Sequence, residues 1–122
     1  MKLRDVNQKE GPMVKPILKR VGQYQAARKM KDQLFRLKFK TQHMEGIVAT
    51  IEPNHTLETY IHEGEEVHIV LEGRIEYTVG KESFVLEPGD VLWHRSDVLH
   101  GARNIGDVTA KYFTVGVPPT FI

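Results

Sequence analysis

The sequence predicts an all-β fold, because its hydrophobic pattern has a period of two and turn residues interrupt it at short intervals. In "LFRLKFK", which starts at residue 34, Phe35, Leu37 and Phe39 share one face and basic residues occupy the other, as in a half-buried strand. Further strand candidates are residues 46–52, 57–62, 66–72, 74–79, 82–86, 91–95 and 108–117. The turn signals between them are Pro53-Asn54, Gly64, Gly73, Gly80-Lys81, Pro88-Gly89-Asp90 and residues 104–107. Many short strands divided in this way predict an antiparallel sandwich or barrel.

The N-terminal segment lacks this pattern. Residues 1–16 contain Gly11, Pro12 and Pro16 and predict an extended or loosely ordered arm. The stretch "QYQAARKMKDQ", residues 23–33, could form a short helix, although its apolar face is thin. We therefore divide the chain into an arm, residues 1–33, and a β-barrel domain, residues 34–122.

Length and composition exclude several classes of protein. A chain of 122 residues fits one domain that buries its own core. The chain has no cysteine, which excludes disulfides, thiolate metal sites and a cysteine nucleophile. No stretch approaches the about 18 apolar residues of a membrane span, and the polar N-terminus does not resemble a signal peptide. We expect a cytoplasmic protein without a membrane partner.

Charge is divided unevenly along the chain. Residues 1–40 hold 12 of the 17 basic and 3 of the 16 acidic residues, so their net charge is 12 − 3 = +9. The rest of the chain holds 5 basic and 13 acidic residues, so its net charge is 5 − 13 = −8. A basic arm can bind nucleic acid, but these basic residues are spread out and form no recognisable reading motif. We favour contact between the arm and the acidic body of the same or a partner subunit, and do not expect nucleic acid as a partner.

The chemically distinctive stretch is "YIHEGEEVHIVLEG", residues 60–73. Side chains alternate along a strand, so Glu66 and His68 share a face, and a reversal at Gly64 would bring His62 to Glu66. A second segment, residues 87–104, contains a glycine turn, an apolar strand and His100. Two histidines and one carboxylate from neighbouring strands would hold a divalent metal on one face and leave positions open for a ligand.

From about residue 46 to 121 the chain resembles the cupins. His62, Glu66 and Gly73 match the second histidine, the glutamate and the closing glycine of the first cupin motif. The second motif is matched by Gly89, His100 and Asn104. The resemblance implies a cupin double-stranded β-helix, or jelly-roll barrel, around a small-molecule pocket. It also implies iron, manganese, zinc or nickel on His62, Glu66 and His100, and a homodimer that pairs through its N-terminal arm.

The chain departs from the cupin pattern at two positions. Tyr60 replaces the first histidine of the first motif, and Val98 replaces the proline of the second. A four-ligand site is thereby reduced to His62, Glu66 and His100, which resembles the triad of cupin-type epoxidases and other non-haem iron cupins. Tyr60 is then a hydrogen-bond donor to the site or a weak ligand.

Three residues are candidates for catalytic acid–base groups: Tyr60, His68 and His94. For His68 we favour a hydrogen-bonded histidine of the barrel interior over a metal ligand. His94 follows Trp93, so the two side chains point to opposite faces and one of them forms a pocket wall.

The sequence leaves the activity open between two main alternatives. One is a mononuclear-metal enzyme of the dioxygenase, isomerase or decarboxylase type. The other is a non-catalytic small-molecule-binding or sensor cupin, with or without metal. The closing "VGVPPTF" favours the latter, since it resembles the end of cupin domains in transcriptional regulators.

Overall fold

A computed structural model describes residues 15–54 and 57–122 of the chain. Its described residues form nine strands: β1 (Ala26–Lys29), β2 (Gln33–Lys40), β3 (Glu45–Ile51), β4 (Glu65–Glu72), β5 (Ile75–Val79), β6 (Glu82–Leu86), β7 (Val91–Arg95), β8 (His100–Asn104) and β9 (Ala110–Val117). Within these ranges there is no helix, and so none that could cross a membrane. The all-β prediction is confirmed. The extended arm expected at residues 1–16 lies almost wholly outside the described residues, and the cytoplasmic location stays a prediction.

The strands form two antiparallel sheets. One has six strands in the order β1-β2-β3-β9-β4-β7, and the other has three in the order β6-β5-β8. The core lies between them and takes side chains from the inward positions of both sheets: Phe35, Leu37, Ile47, Ala49, Ile51, Val70, Ile75, Tyr77, Leu86, Ala102, Ala110, Tyr112 and Phe121. Fully buried side chains such as Ile47, Ile51 and Ile75 each contribute about 1.5–3 kcal/mol relative to exposure. This packing holds in place the polar residues that share the same interior.

The short helix considered for residues 23–33 is wrong. Ala26–Lys29 is instead β1, which pairs with β2 in the register Ala26↔Leu37 to Lys29↔Leu34. Without β1, the backbone groups along one edge of β2 would lack partners, and pairing outweighs a weak helical preference. The proposed boundary at residues 33–34 falls at the start of β2.

Two strand assignments also need correction. Residues 57–62 contain no strand, because Tyr60 forms only an isolated bridge with His100. Conversely, β8 (His100–Asn104) lies in a stretch for which the sequence predicted no strand. The string "HGARN" lacks apolar alternation, yet all of its residues except Arg103 are buried in the strand that pairs with β5.

Candidate metal centre

Four histidines surround one glutamate inside the barrel. Glu66 and His68 occupy inward positions of β4, and His94 lies opposite Glu66 on β7. His100 begins β8, and His62 lies in the connection between β3 and β4. The alternation of side chains along β4 accounts for the shared face of Glu66 and His68, while strand pairing brings in His94.

Backbone hydrogen bonds position His62 although it lies outside a regular strand. Its amide donates to the carbonyl of Ser96 at 3.0 Å, and the amide of Ser96 donates to Gly64 at 2.8 Å. Gly64 has φ of +100°, and a Cβ there would overlap the carbonyl oxygen of Val117. A glycine is therefore required at the turn that brings His62 back over Glu66.

One carboxylate oxygen of Glu66 faces the two motif histidines. Oε2 lies 3.2 Å from Nε2 of His62 and 3.4 Å from Nε2 of His100, and it accepts a 2.7 Å hydrogen bond from the Ser96 hydroxyl. We call His62, His100 and this side of Glu66 the outer triad. His62 retains 22% exposure of its side chain, so the outer triad is open to ligands on one side.

The other carboxylate oxygen faces a second pair of histidines. Oε1 lies 3.2 Å from Nε2 of His68 and 3.5 Å from Nε2 of His94, and the hydroxyl of Tyr77 donates to it at 3.3 Å. The two histidine Nε2 atoms are 2.9 Å apart. We call His68, His94 and this side of Glu66 the inner triad, and all three side chains are at most 4% exposed.

Backbone carbonyls determine the tautomers of three of the four rings. Each Nδ1 donates to a carbonyl oxygen: His62 to Glu63 at 3.1 Å, His94 to Arg95 at 2.7 Å and His100 to Val98 at 2.7 Å. Because a carbonyl only accepts, each of these rings in its neutral form directs the lone pair of Nε2 at Glu66. A carboxylate also only accepts. Each such lone pair repels the carboxylate unless a proton or a metal ion lies between them.

The protonation states suit metal binding. Burial by itself would raise the pKa of Glu66, but the hydrogen bonds that His100, His68 and His94 donate in their protonated forms outweigh it and hold the pKa well below its usual range. Burial lowers the pKa of the His68 ring. Burial also acts to lower the pKa of His100, but its hydrogen bond and attraction to Glu66 raise that pKa overall. An ionised carboxylate with at least one neutral imidazole is the donor set that divalent metals bind.

A small cavity adjoins the outer triad. Its walls include the apolar side chains of Phe35, Ile47 and Phe121, and the charged side chain of Arg28. The space open to the centres of water molecules is about 50 Å³. At about 10–15 Å³ per water, the cavity holds roughly four waters or a ligand of similar size.

Tyr60 also lines this cavity, but its hydroxyl is directed at other groups than Glu66. It donates to Glu58 at 3.0 Å and lies 3.4 Å from Gln33 and 3.1 Å from the sulfur of Met30. Burial, with the hydrogen bond to Glu58, raises the pKa of Tyr60 to about 12. At neutral pH Tyr60 is therefore a protonated phenol in the cavity wall.

The structure brings together the three residues that the sequence indicated as ligands. His62, Glu66 and His100 form one group whose donor atoms lie within 4.8 Å of one another, and Glu66, His68 and His94 form a second. The interpretation of His68 as a hydrogen-bonded interior residue agrees with its 2.6 Å contact to Thr114. The side chain of Trp93 is outward and that of His94 inward.

Sequence reasoning missed two donors to the central carboxylate. Tyr77 lies at an inward position of β5, and the alternation of side chains between the two faces of that strand could have predicted this. Ser96 follows the end of β7, and no local pattern distinguishes it from the exposed Arg95 and Asp97. Its contact with Glu66 depends on the path of the backbone between β7 and β8.

Fold and site together define a β-barrel protein with a histidine–carboxylate cluster at its centre. The family model of the cupin domain matches residues 47–116, and the chain belongs to the cupin family. Its two sheets form the double-stranded β-helix of that family. No curated protein matches the chain.

Solved structures share this fold. TT1209 from Thermus thermophilus is 26% identical, with a TM-score of 0.66 over 71% of this chain and 84% of TT1209. The cupin domain of an XRE family transcriptional regulator from Enterobacter cloacae is 19% identical, with a TM-score of 0.66 over 74% of this chain and 100% of that domain. The iron(II) form of HppE is 20% identical, with a TM-score of 0.64 over 70% of this chain and 50% of HppE. The chain thus spans half of that longer protein.

Proposed function

We propose that this cupin binds a divalent metal ion through His62, Glu66 and His100 and presents it to a small molecule in the adjoining cavity. The observation that carries the proposal is the convergence of the Nε2 atoms of His62 and His100 on one carboxylate oxygen of Glu66, at 3.2 and 3.4 Å. Three nitrogen and oxygen donors accept most first-row divalent ions, so iron, manganese, zinc and nickel remain candidates. HppE, which shares the fold, is described with iron(II).

A bound ion would act as a Lewis acid that polarises a small oxygen-containing ligand, as in a dioxygenase, isomerase or decarboxylase. The chain's own residues hold the site in shape. Ser96 and Tyr77 each donate to one oxygen of Glu66 and so orient its carboxylate. Carbonyl groups hold the rings of His62 and His100 with Nε2 directed inward.

The cavity restricts both ligand size and proton transfer. Its volume of about 50 Å³ favours a ligand of a few heavy atoms, and Phe35 and Ile47 limit the water beside it. Of the three candidate acid–base residues, Tyr60 and His68 line this cavity. We therefore propose these two as the groups that exchange protons with a bound ligand, and His94 as a residue behind them.

The second candidate function is a sensor that binds the same small ligands without turnover. It is favoured by the likeness to the cupin domain of a transcriptional regulator, which covers 74% of this chain. A sensor gains stability from its ligand and releases no product. Product analysis after incubation with a stabilising ligand separates the two functions.

Metal content tests the proposed function directly. We expect at least one ion per chain after reconstitution with iron(II), manganese(II) or zinc(II), and loss of the tightest-bound ion in the double variant His62→Ala/His100→Ala. His43→Ala is the matched control, because His43 is exposed in the turn between β2 and β3. Wild-type protein that takes up none of the three ions would refute the proposal.

We also propose that the chain forms a homodimer through its N-terminal region. β1 is an edge strand of the larger sheet, and edge strands tend to be covered. Ile17, Leu18 and Val21, which precede β1, are 45, 67 and 98% exposed. Light scattering should show a dimer that dissociates in Leu18→Ser/Val21→Ser, whereas Val85→Ser, exposed on the other sheet, leaves it intact. A wild-type monomer would contradict this proposal.

A further inference from the structure

The inner triad has the dimensions of a metal site in its own right. Its three donor atoms are separated by 2.9 Å (His68 to His94), 3.2 Å (His68 to Glu66) and 3.5 Å (His94 to Glu66). Metal–nitrogen bonds of about 2.0–2.1 Å in a tetrahedral shell place neighbouring donors roughly 3.3 Å apart. The three donor spacings therefore match those of one face of a coordination shell.

The cupin motifs do not account for His68 and His94. The motif positions matched in this chain are His62, Glu66, Gly73, Gly89, His100 and Asn104. An imidazole ring that is buried so completely normally has a polar partner, whose interaction offsets the free-energy cost of removing the ring from water. Two further histidines, each at most 4% exposed and both directed at the motif glutamate, therefore lie outside the matched motif positions.

Hydrogen bonds alone can give every polar atom of the inner triad a partner. The same geometry allows a metal ion to replace one of the hydrogen atoms. His94 donates from Nδ1 to a carbonyl, so its Nε2 accepts, and Glu66 also accepts. One N–H at Nε2 of His68 can then donate to both acceptors, Nε2 of His94 and Oε1 of Glu66. If a metal ion takes the place of that proton, the single N–H of the neutral His68 ring moves to Nδ1. There it donates to the Thr114 hydroxyl at 2.6 Å. Metal binding thus leaves no polar atom of the inner triad without a partner.

We propose that Glu66, His68 and His94 form a second divalent-metal site, joined to the first through the carboxylate of Glu66. The inference rests on the metal centre proposed above, since Oε2 belongs to the outer triad and Oε1 to the inner. Histidine-rich donors favour zinc, cobalt or nickel over manganese and magnesium. Two cations sharing one carboxylate repel each other, so the inner ion binds more weakly than the outer.

A pair of ions bridged in this way also narrows the class of ligand. Two metals a few ångströms apart can each take one oxygen of a small oxyanion. The cavity of about 50 Å³ beside Glu66 and His68 has room for such a group. The ligands that fit are small carboxylates, carbonate and phosphate.

Zinc titration of the metal-free protein tests the second site. We expect saturation at two zinc ions per chain, with a tighter and a weaker phase in calorimetry. The variants His68→Gln and His94→Gln should each saturate at one, because an amide replaces the ligand but keeps a polar group. His43→Gln is the matched control and should still bind two.

The outcomes distinguish this inference from the proposal on which it rests. Saturation at one zinc in the wild type, lost in His62→Ala/His100→Ala, would overturn the inner site and leave the outer one standing. Two ions that persist in both glutamine variants would also overturn it. No zinc binding at all would overturn the inner site, and the outer site would fall with it only if iron(II) and manganese(II) are not taken up either. If the buried glutamine variants fail to fold, the number of zinc ions bound by the wild type still tests whether the second site exists.

Cobalt(II) provides a test that depends on the bridge and needs no variant. If Glu66 joins the two ions, their spins couple, and the paramagnetic resonance signal at two equivalents should fall below twice that at one. A signal that doubles would show two independent ions and would overturn the bridged arrangement.

Discussion

The outer and inner triads share one carboxylate but are built in different ways. His62 lies in a connection outside the strands and keeps 22% of its side chain exposed, whereas His68 and His94 lie on paired strands and are nearly sealed. Glu66 and His94 are direct neighbours across β4 and β7, and His68 and Thr114 are neighbours across β4 and β9. The comparison indicates that sheet pairing holds all three members of the inner triad in place, whereas in the outer triad His62 depends on a glycine turn while His100 pairs with Val79 of β5.

Glu66→Gln should have the largest effect, because it removes the only carboxylate common to both triads. We expect metal affinity to fall by more than about 100-fold. This exceeds the loss of affinity that follows when only a residue hydrogen-bonded to a metal ligand is removed. The amide can donate to Nε2 lone pairs, so the metal-free variant should fold normally. Calorimetric titration with zinc and circular dichroism check both expectations.

The matched control for that variant is Glu65→Gln. Glu65 neighbours Glu66 in the chain but is exposed, where it accepts a hydrogen bond from the indole of Trp93. Wild-type affinity in Glu66→Gln would mean that neither triad binds metal through this carboxylate.

Gly64→Ala should break the outer triad selectively. Gly64 and Gly89 both have positive φ, +100° and +93°, so alanine is strained at either position by about 1–2 kcal/mol. Only at Gly64 would the new Cβ overlap a backbone atom, since nothing lies within 4 Å at Gly89. We expect Gly64→Ala to cost about 1–3 kcal/mol more in urea unfolding than Gly89→Ala.

That substitution should also displace His62 and weaken the tighter zinc phase, whereas Gly89→Ala leaves it unchanged. Equal stability losses and equal zinc affinities in the two alanine variants would show that the turn does not position His62.

Ser96→Ala should produce the smallest effect, confined to the outer side of Glu66. It removes a 2.7 Å hydrogen bond to Oε2, so we expect about tenfold weaker binding of the tighter zinc ion. Ser83→Ala is the control, since Ser83 is exposed and bonds only Thr78 among the described contacts. A loss confined to the weaker phase would contradict the assignment of Oε2 to the outer triad.

Local patterns predicted much of the fold. The period of two in residues 34–40 and 66–72 agrees with β2 and β4, because one face of each strand is buried and the other is not. The same alternation predicted that Glu66 and His68 share a face. Motif spacing indicated His62 and His100 as their neighbours, and the structure brings these side chains to Glu66.

Features that depend on pairing between distant segments could not be predicted. β1 is a strand because β2 offers an open edge, and its own residues carry only a thin apolar face. β8 is a strand, buried at every residue except Arg103, although "HGARN" lacks apolar alternation, because β5 and the bridge to Tyr60 supply its hydrogen bonds. A propensity for helix or loop is a weak preference that such partners override.

The sequence by itself determined the all-β class, the inward face of β4 and the two motif histidines, His62 and His100, beside the carboxylate of Glu66. Tertiary structure alone decided that His94 stands opposite Glu66, that Ser96 and Tyr77 donate to it, and that Tyr60 faces Glu58. The physical reason is that side-chain alternation is a local property of each strand. The register between strands, which makes one glutamate the neighbour of four histidines, is set by hydrogen bonds and packing across the whole barrel.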